Sequence, residues 1–199
     1  MHRDEENTGK EESMKTIKLT EDTRKDILDR LLKRSPDNYS EYEKTVADII
    51  TDVRTNGDRA VFSYTKKFDQ WESHAENIRV TQAEIEEAVR SIDRPFLAVM
   101  KKSAANIEAF HQKQLRNSWI DTKPDGSILG QRILPLSVSG VYVPGGKAAY
   151  PSSVLMNVIP AKVAGVKKII MTTPAGADGK VNPGTLAAAS IAGVDEIYK

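Results

Sequence analysis

One stretch, Gly140-Val-Tyr-Val-Pro-Gly-Gly-Lys-Ala-Ala-Tyr-Pro-Ser-Ser-Val-Leu-Met-Asn-Val-Ile-Pro-Ala-Lys-Val-Ala-Gly-Val166, constrains this chain more than any other. It opens with an apolar β-branched run, breaks at Pro144-Gly145-Gly146, and resumes as an apolar segment of helical length. That order is strand, turn, helix. The same rhythm continues to the last residue. Val138–Val143 is predicted as a strand, Ser152–Ala164 as a helix and Val166–Met171 as a second strand. Asn182–Ala192 is predicted as a helix and Val194–Tyr198 as a third strand. Strands separated by single helices imply a βαβαβ unit with a parallel sheet and right-handed crossovers. A doubly wound sheet normally has more strands, so an incomplete, Rossmann-like half ending at Lys199 is expected.

The residues before this stretch carry a different period. Ile27, Leu28, Leu31 and Leu32 share one helical face behind Thr20, an expected N-cap. Ser35-Pro36-Asp37-Asn38 stops that helix. Ser40-x-x-Glu43 is a capping box before Tyr42, Val46, Ile49, Ile50 and Val53. Asn56-Gly57 ends the second helix and Asp58 is expected to cap a third, with Val61, Tyr64 and Phe68 on its buried face. A short strand is expected at Ile78–Val80. Thr81-x-x-Glu84 is another capping box, ahead of Ile85, Ala88, Val89 and Ile92. Pro95 suits the first turn of a long helix whose core side is Leu97, Met100, Ala104, Ile107 and Phe110. Alternation then replaces the helical period, with strands at Trp119–Thr122 and Ile128–Leu134 joined at Lys123-Pro124-Asp125-Gly126. The expected organisation is a disordered tail at residues 1–16, a helical segment at 17–117, a β-hairpin connection at 118–136 and the incomplete α/β half at 137–199.

Composition narrows the function classes. The formal net charge of the 199 residues is +1, so no broad field draws the chain to nucleic acid or an anionic membrane. There is no Cys, which removes disulfides, thiolate nucleophiles and cysteine zinc sites, and which fits a reducing cytoplasm. No apolar run is long enough to span a bilayer, and the charged segment Met1 to Glu12 lacks the core of a signal peptide.

The sharpest site is the turn at the carboxyl end of the first parallel strand. Ligands of open α/β sheets bind at that end. Paired glycines let a ligand approach the backbone, and a helix N-terminus favours an anion. A tight βα turn with no ligand fits the same spacing, and both readings stay open on spacing alone. Two phosphate motifs are excluded. Gly140 to Gly146 does not make a G-x-G-x-x-G fingerprint. Ahead of Gly146-Lys147, Val141 stands where a P-loop needs its first glycine, and Ala148 stands where it needs a hydroxyl. Tyr142 reads either as core or as a ring flanking a base or ribose. Ser152 or Ser153 is expected to cap the helix. His2, His74 and His111 form no metal-ligand spacing, there is no serine elbow, and the carboxylates sit at caps and exposed faces. No catalytic and no metal-ligating residue is assigned.

Beyond its turn, the whole Gly140–Val166 stretch resembles the hallmark segment of the histidinol dehydrogenases. Asn56-Gly57-Asp58, Tyr64-Thr65-Lys66-Lys67-Phe68-Asp69 and Asn106-Ile107-x-x-Phe110-His111 extend the resemblance over residues 17–199, as the N-terminal part of that family. The resemblance implies NAD-dependent, zinc-dependent oxidation of L-histidinol through an aldehyde to L-histidine, by a homodimer about twice this length. It implies Tyr142 and Pro144 at the adenine-nucleotide side of NAD, with Gly145 and Gly146 in the same loop. The family's zinc ligands, general bases and substrate contacts have no counterpart in these residues, so an inactive fragment is expected. A homologue acting on another alcohol and a non-enzymatic NAD-binding or dimerisation module are the alternatives.

Overall fold

The computed structural model describes residues 17–32, 40–145 and 149–199. The expected tail at residues 1–16, the Ser35-Pro36-Asp37-Asn38 stop, Gly146 and Lys147 lie outside the described residues, as does the side chain of Ser40 with its capping box. The elements are α1 (Glu21–Leu32), α2 (Ser40–Asn56), α3 (Asp58–Asp69), α4 (Gln82–Ser91) and α5 (Arg94–Gln112). Then follow β1 (Trp119–Thr122), β2 (Ile128–Gln131), β3 (Val138–Tyr142), α6 (Pro151–Val163), β4 (Lys168–Thr172), α7 (Pro183–Ala192) and β5 (Glu196–Tyr198). This is the mixed α/β order the periodicity predicts. The chain divides into two compact units, Met1–Thr51 and Asp52–Lys199.

In the first unit Thr20 is the expected cap of α1. Its hydroxyl accepts from the Thr23 amide at 3.2 Å, while the Thr20 amide donates to Thr23 Oγ1 at 2.8 Å. On α2, Tyr42, Val46 and Ile50 of the apolar stripe are exposed.

The second unit holds the core. β3, β4 and β5 form a parallel sheet in that spatial order, with Val138 to Tyr142 in register with Lys168 to Thr172. Alternation splits the sheet into two faces. Val141, Val143, Ile169, Met171 and Ile197 are buried, together with Val154, Leu155 and Val158 of α6 and Leu186 to Ala189 of α7. The other face carries Val138, Tyr142, Lys168 and Thr172, all exposed. α7 is buried almost all round, and its alanines let α4, α5 and α6 approach it closely. The outer edge of β5 is engaged by one antiparallel bridge, Arg79 to Tyr198, where a short strand is expected at Ile78–Val80. β1 and β2 form the antiparallel hairpin, closed by the Lys123 to Ser127 turn, and every residue of both strands is exposed.

Local corrections have clear causes. Gly57, not Asp58, is the N-cap of α3, and its carbonyl accepts from Ala60 and Val61. Phe68 and Phe110 are exposed, while Ala60 and Met100 are the buried residues of α3 and α5. The Thr81 box forms as expected, with Glu84 and Thr81 bonding reciprocally. Asp93 caps α5 and Pro95 sits in its first turn.

Candidate functional site

The carboxyl ends of β3 and β4 lead into two loops that face each other. Val143 continues the sheet ladder by donating to the Thr172 carbonyl at 2.9 Å. The first loop then turns at Gly145 against Pro174 of the second. A Cβ at Gly145 would lie 2.8 Å from Pro174 Cγ and 3.2 Å from its carbonyl oxygen, so only glycine fits there. Helix α6 follows with Tyr150 as an N-cap that makes no side-chain bond and Pro151 as its first residue. The serines expected as caps are therefore already inside the helix. Proline's fixed φ starts it one residue earlier than a hydroxyl cap would.

The second loop is tightly tied. Gly176 donates to the Lys180 carbonyl at 2.9 Å, Gly179 donates to the Gly176 carbonyl at 2.8 Å, and Asp178 Oδ1 accepts from the Lys180 amide at 3.1 Å. Asn182 then caps α7, its Oδ1 accepting from the Gly184 and Thr185 amides at 2.8 and 3.3 Å. Between the loops lies a cavity of about 230 Å³ lined by Gly145, Thr173, Gly176, Lys180, Asn182 and Thr185. A groove of about 700 Å³ exists at the amino ends of the strands, beside Ser139 and Val166. Its walls are mostly aliphatic, including Leu115, Leu134, Leu136 and Pro160, and few polar groups converge on it. The smaller cavity, with the larger polar share in its wall and at the carboxyl ends of the strands, is the better candidate site.

The second loop also rests on a support. Gly179 has φ of +73°, and a Cβ there would run into the Trp71 indole. Lys199 Nζ lies 5.5 Å from the centre of the same ring and 2.6 Å from Glu84 Oε1. Glu84 Oε2 accepts from the amide and hydroxyl of Thr81 at 2.7 and 2.9 Å. Burial pushes the Glu84 carboxyl up, but the bonds from Lys199 and Thr81 outweigh it and hold it below its ordinary range. Asp195, between β4 and β5, is held low chiefly by the Ile169 amide, which donates at 2.7 Å, and further by Lys162 at 3.2 Å.

Of the residues singled out in the sequence, Gly145 lines the cavity. Tyr142 stands at the end of β3 on the open sheet face, 66% exposed, so it is not a core residue, and it does not line the cavity. Pro144 lies between them, half-buried. Thr173, Lys180, Asn182 and Thr185 escaped sequence reasoning because they converge only once β4 lies beside β3. The Asn182-Pro183 pair, an N-cap followed by a first-turn proline, was the one local signal. Among the described residues no group of three or more His, Cys, Asp or Glu side chains could hold a metal. His111 Nδ1 instead pairs with Gln114 Oε1 at 2.6 Å.

A parallel sheet flanked by helices, with a crevice at the carboxyl ends of adjacent strands, defines an open-sheet α/β protein. The histidinol dehydrogenase family model matches residues 32–199, and the chain belongs to that family, one of oxidoreductases of histidine biosynthesis. It is 52% identical over 169 residues to the histidinol dehydrogenase of Bacillus subtilis, covering 84% of this chain and 39% of the relative. With that of Heliobacterium mobile it shares 53% identity over 154 residues, 77% of this chain and 36% of the relative. With that of Listeria innocua it shares 48% over 187 residues, 94% of this chain and 42% of the relative. The crystal structure of histidinol dehydrogenase from Elizabethkingia anophelis superposes with a TM-score of 0.74 at 35% identity, over 79% of this chain and 36% of that one. The chain thus spans about two fifths of the length of the curated relatives it matches.

Proposed function

We propose that this chain forms the NAD-contacting wall of a histidinol dehydrogenase, the whole of which oxidises L-histidinol to L-histidine. The observation that carries this is a family match over residues 32–199 combined with a crevice built at the carboxyl ends of β3 and β4. The residues fit a nucleotide. Gly145 lines the crevice, and the exposed Tyr142 ring is free to flank a base or ribose. Tyr142 and Pro144 would lie along the adenine nucleotide, with Gly145 and Gly146 letting it reach the backbone. NAD, when bound, supplies the hydride acceptor. Zinc finds no ligand set among the described residues, and no step is drawn through it.

In the same reading, residues 17–117 form a helical segment, 118–136 a hairpin connection and 137–199 the NAD-binding half. The protein acts as a cytoplasmic homodimer without nucleic-acid or membrane partners. Among the described residues no helix is long and apolar enough to cross a membrane.

By itself the 199-residue chain is expected to bind NAD weakly and to turn nothing over. One wall encloses little of a ligand, and immobilising it costs several kcal/mol that fuller enclosure offsets. The test mixes the chain with L-histidinol, NAD and zinc and follows NADH absorbance, alongside calorimetric titration with NAD. Turnover above the blank, or submicromolar affinity, contradicts this reading.

A further inference from the structure

Two threonines in the cavity wall belong to no motif. Thr173 follows β4 and Thr185 is the third residue of α7, and each is 2% exposed. Buried hydroxyls are paired as a rule, because an unpaired one forfeits its bonds to water. Among the described residues neither hydroxyl makes a hydrogen bond. Yet among the described residues only the Ser73 hydroxyl is both unpaired and sealed from solvent. Thr173 and Thr185 line the cavity, so their hydroxyls retain access to it, and their partner has to come from that space.

The Asn182 oxygen is taken by the α7 amides, and Asp178 Oδ1 is taken by the Lys180 amide. Lys180 lines the same cavity and enters no ion pair among the described residues. Two unpaired hydroxyls able to donate, with the Lys180 side chain in the cavity wall, together suit an oxyanion. We propose that this cavity is an oxyanion subsite that takes a phosphate of the dinucleotide, with Thr173 and Thr185 donating and Lys180 supplying the counter-charge. The proposal rests on the NAD reading above, and it adds the residues that hold the charged middle of the ligand. Inorganic phosphates share the same chemistry.

The experiment titrates the isotope-labelled 199-residue chain with NAD, adenosine and inorganic pyrophosphate, following backbone amides by NMR. NAD and pyrophosphate are expected to shift Thr173, Gly176 and Thr185, and adenosine only the neighbourhood of Tyr142. Thr173→Val with Thr185→Val keeps shape and removes both donors. It should raise the Kd for NAD and pyrophosphate about tenfold and leave adenosine unchanged. Thr173→Ser with Thr185→Ser should restore binding. Should the valine pair misfold, Lys180→Met, a change at an exposed residue, should weaken NAD roughly threefold and flatten its salt dependence. If NAD and adenosine both bind but neither the valine pair nor Lys180→Met alters NAD affinity, the subsite is wrong and the NAD reading stands. If pyrophosphate binds at the threonines while NAD and adenosine do not bind, the oxyanion site stands for free phosphate, and its assignment to the dinucleotide falls with the NAD reading. If none of the three moves these amides, both fall.

Discussion

Gly179 shows how much one missing side chain decides. Its φ of +73° is strained for any other residue, and the Trp71 indole occupies the space a Cβ would need. Gly179→Ala is expected to cost about 2 kcal/mol or more, since conformational strain and overpacking add. That corresponds to a fall in Tm of roughly 4–8 °C for a chain of this size, measurable by calorimetry. Because Gly179 closes the turn that carries Gly176 and Lys180, NAD affinity should fall too. Tyr142→Ala should behave in the opposite way. A ring that is 66% exposed supports little of the fold, so stability should move by less than about 0.5 kcal/mol. If the ring stacks on a base, NAD affinity should fall about tenfold; an unchanged titration would remove Tyr142 from the site.

At the scale of elements, what was legible in the chain depended on how local the cause was. The Thr81–Glu84 box, Pro95 in the first turn of α5 and the Lys123 to Ser127 turn rest on residues within a few positions of each other, and all form as the spacing requires. The faces of α3 and α5 were misjudged at Phe68 and Phe110 because periodicity marks a stripe without saying how far its partner extends. α6 and α7 pack against α5, whose Met100 is buried while Phe110 stays exposed. The candidate site was legible only in its first loop. Thr173 and Thr185 are ordinary residues in the sequence, and only parallel pairing of β4 with β3 brings them beside Gly145. Element-level energetics are testable at α4. Thr81→Ala should cost about 1 kcal/mol as a lost cap. Combined with Lys199→Met it should be non-additive, because both groups bond one Glu84 carboxylate. Additive urea-derived stabilities would show that Glu84 is not shared in solution.

For the whole molecule, the carboxylates set the acid limit. Glu84, Asp195 and Glu196 all titrate lower in the folded chain than their ordinary values of 4.5, 3.8 and 4.5. For Glu196 the first cause is the hydrogen bond from Lys168, with Arg79 adding to it. A depressed folded value means that the unfolded chain binds protons first as pH falls. Their contribution is therefore complete above about pH 4.5 and disappears as the pH drops through the lower folded values. The urea midpoint should decline across that acid window, and Asp195→Asn with Glu84→Gln should flatten the decline while lowering the midpoint at neutral pH. A variant with the parent's full acid slope would show that other groups govern it.

The chain has two tryptophans, and they stand in opposite surroundings. Trp71 is 9% exposed beneath the Lys199 ammonium, whereas Trp119 is 52% exposed on a hairpin with no buried face. Their emission should be correspondingly separable. A blue-shifted component is expected from Trp71 and a red-shifted component from Trp119, to be checked by fluorescence of the two single-tryptophan variants. Light from this protein thus carries its own internal reference, one lamp inside the core and one already in water.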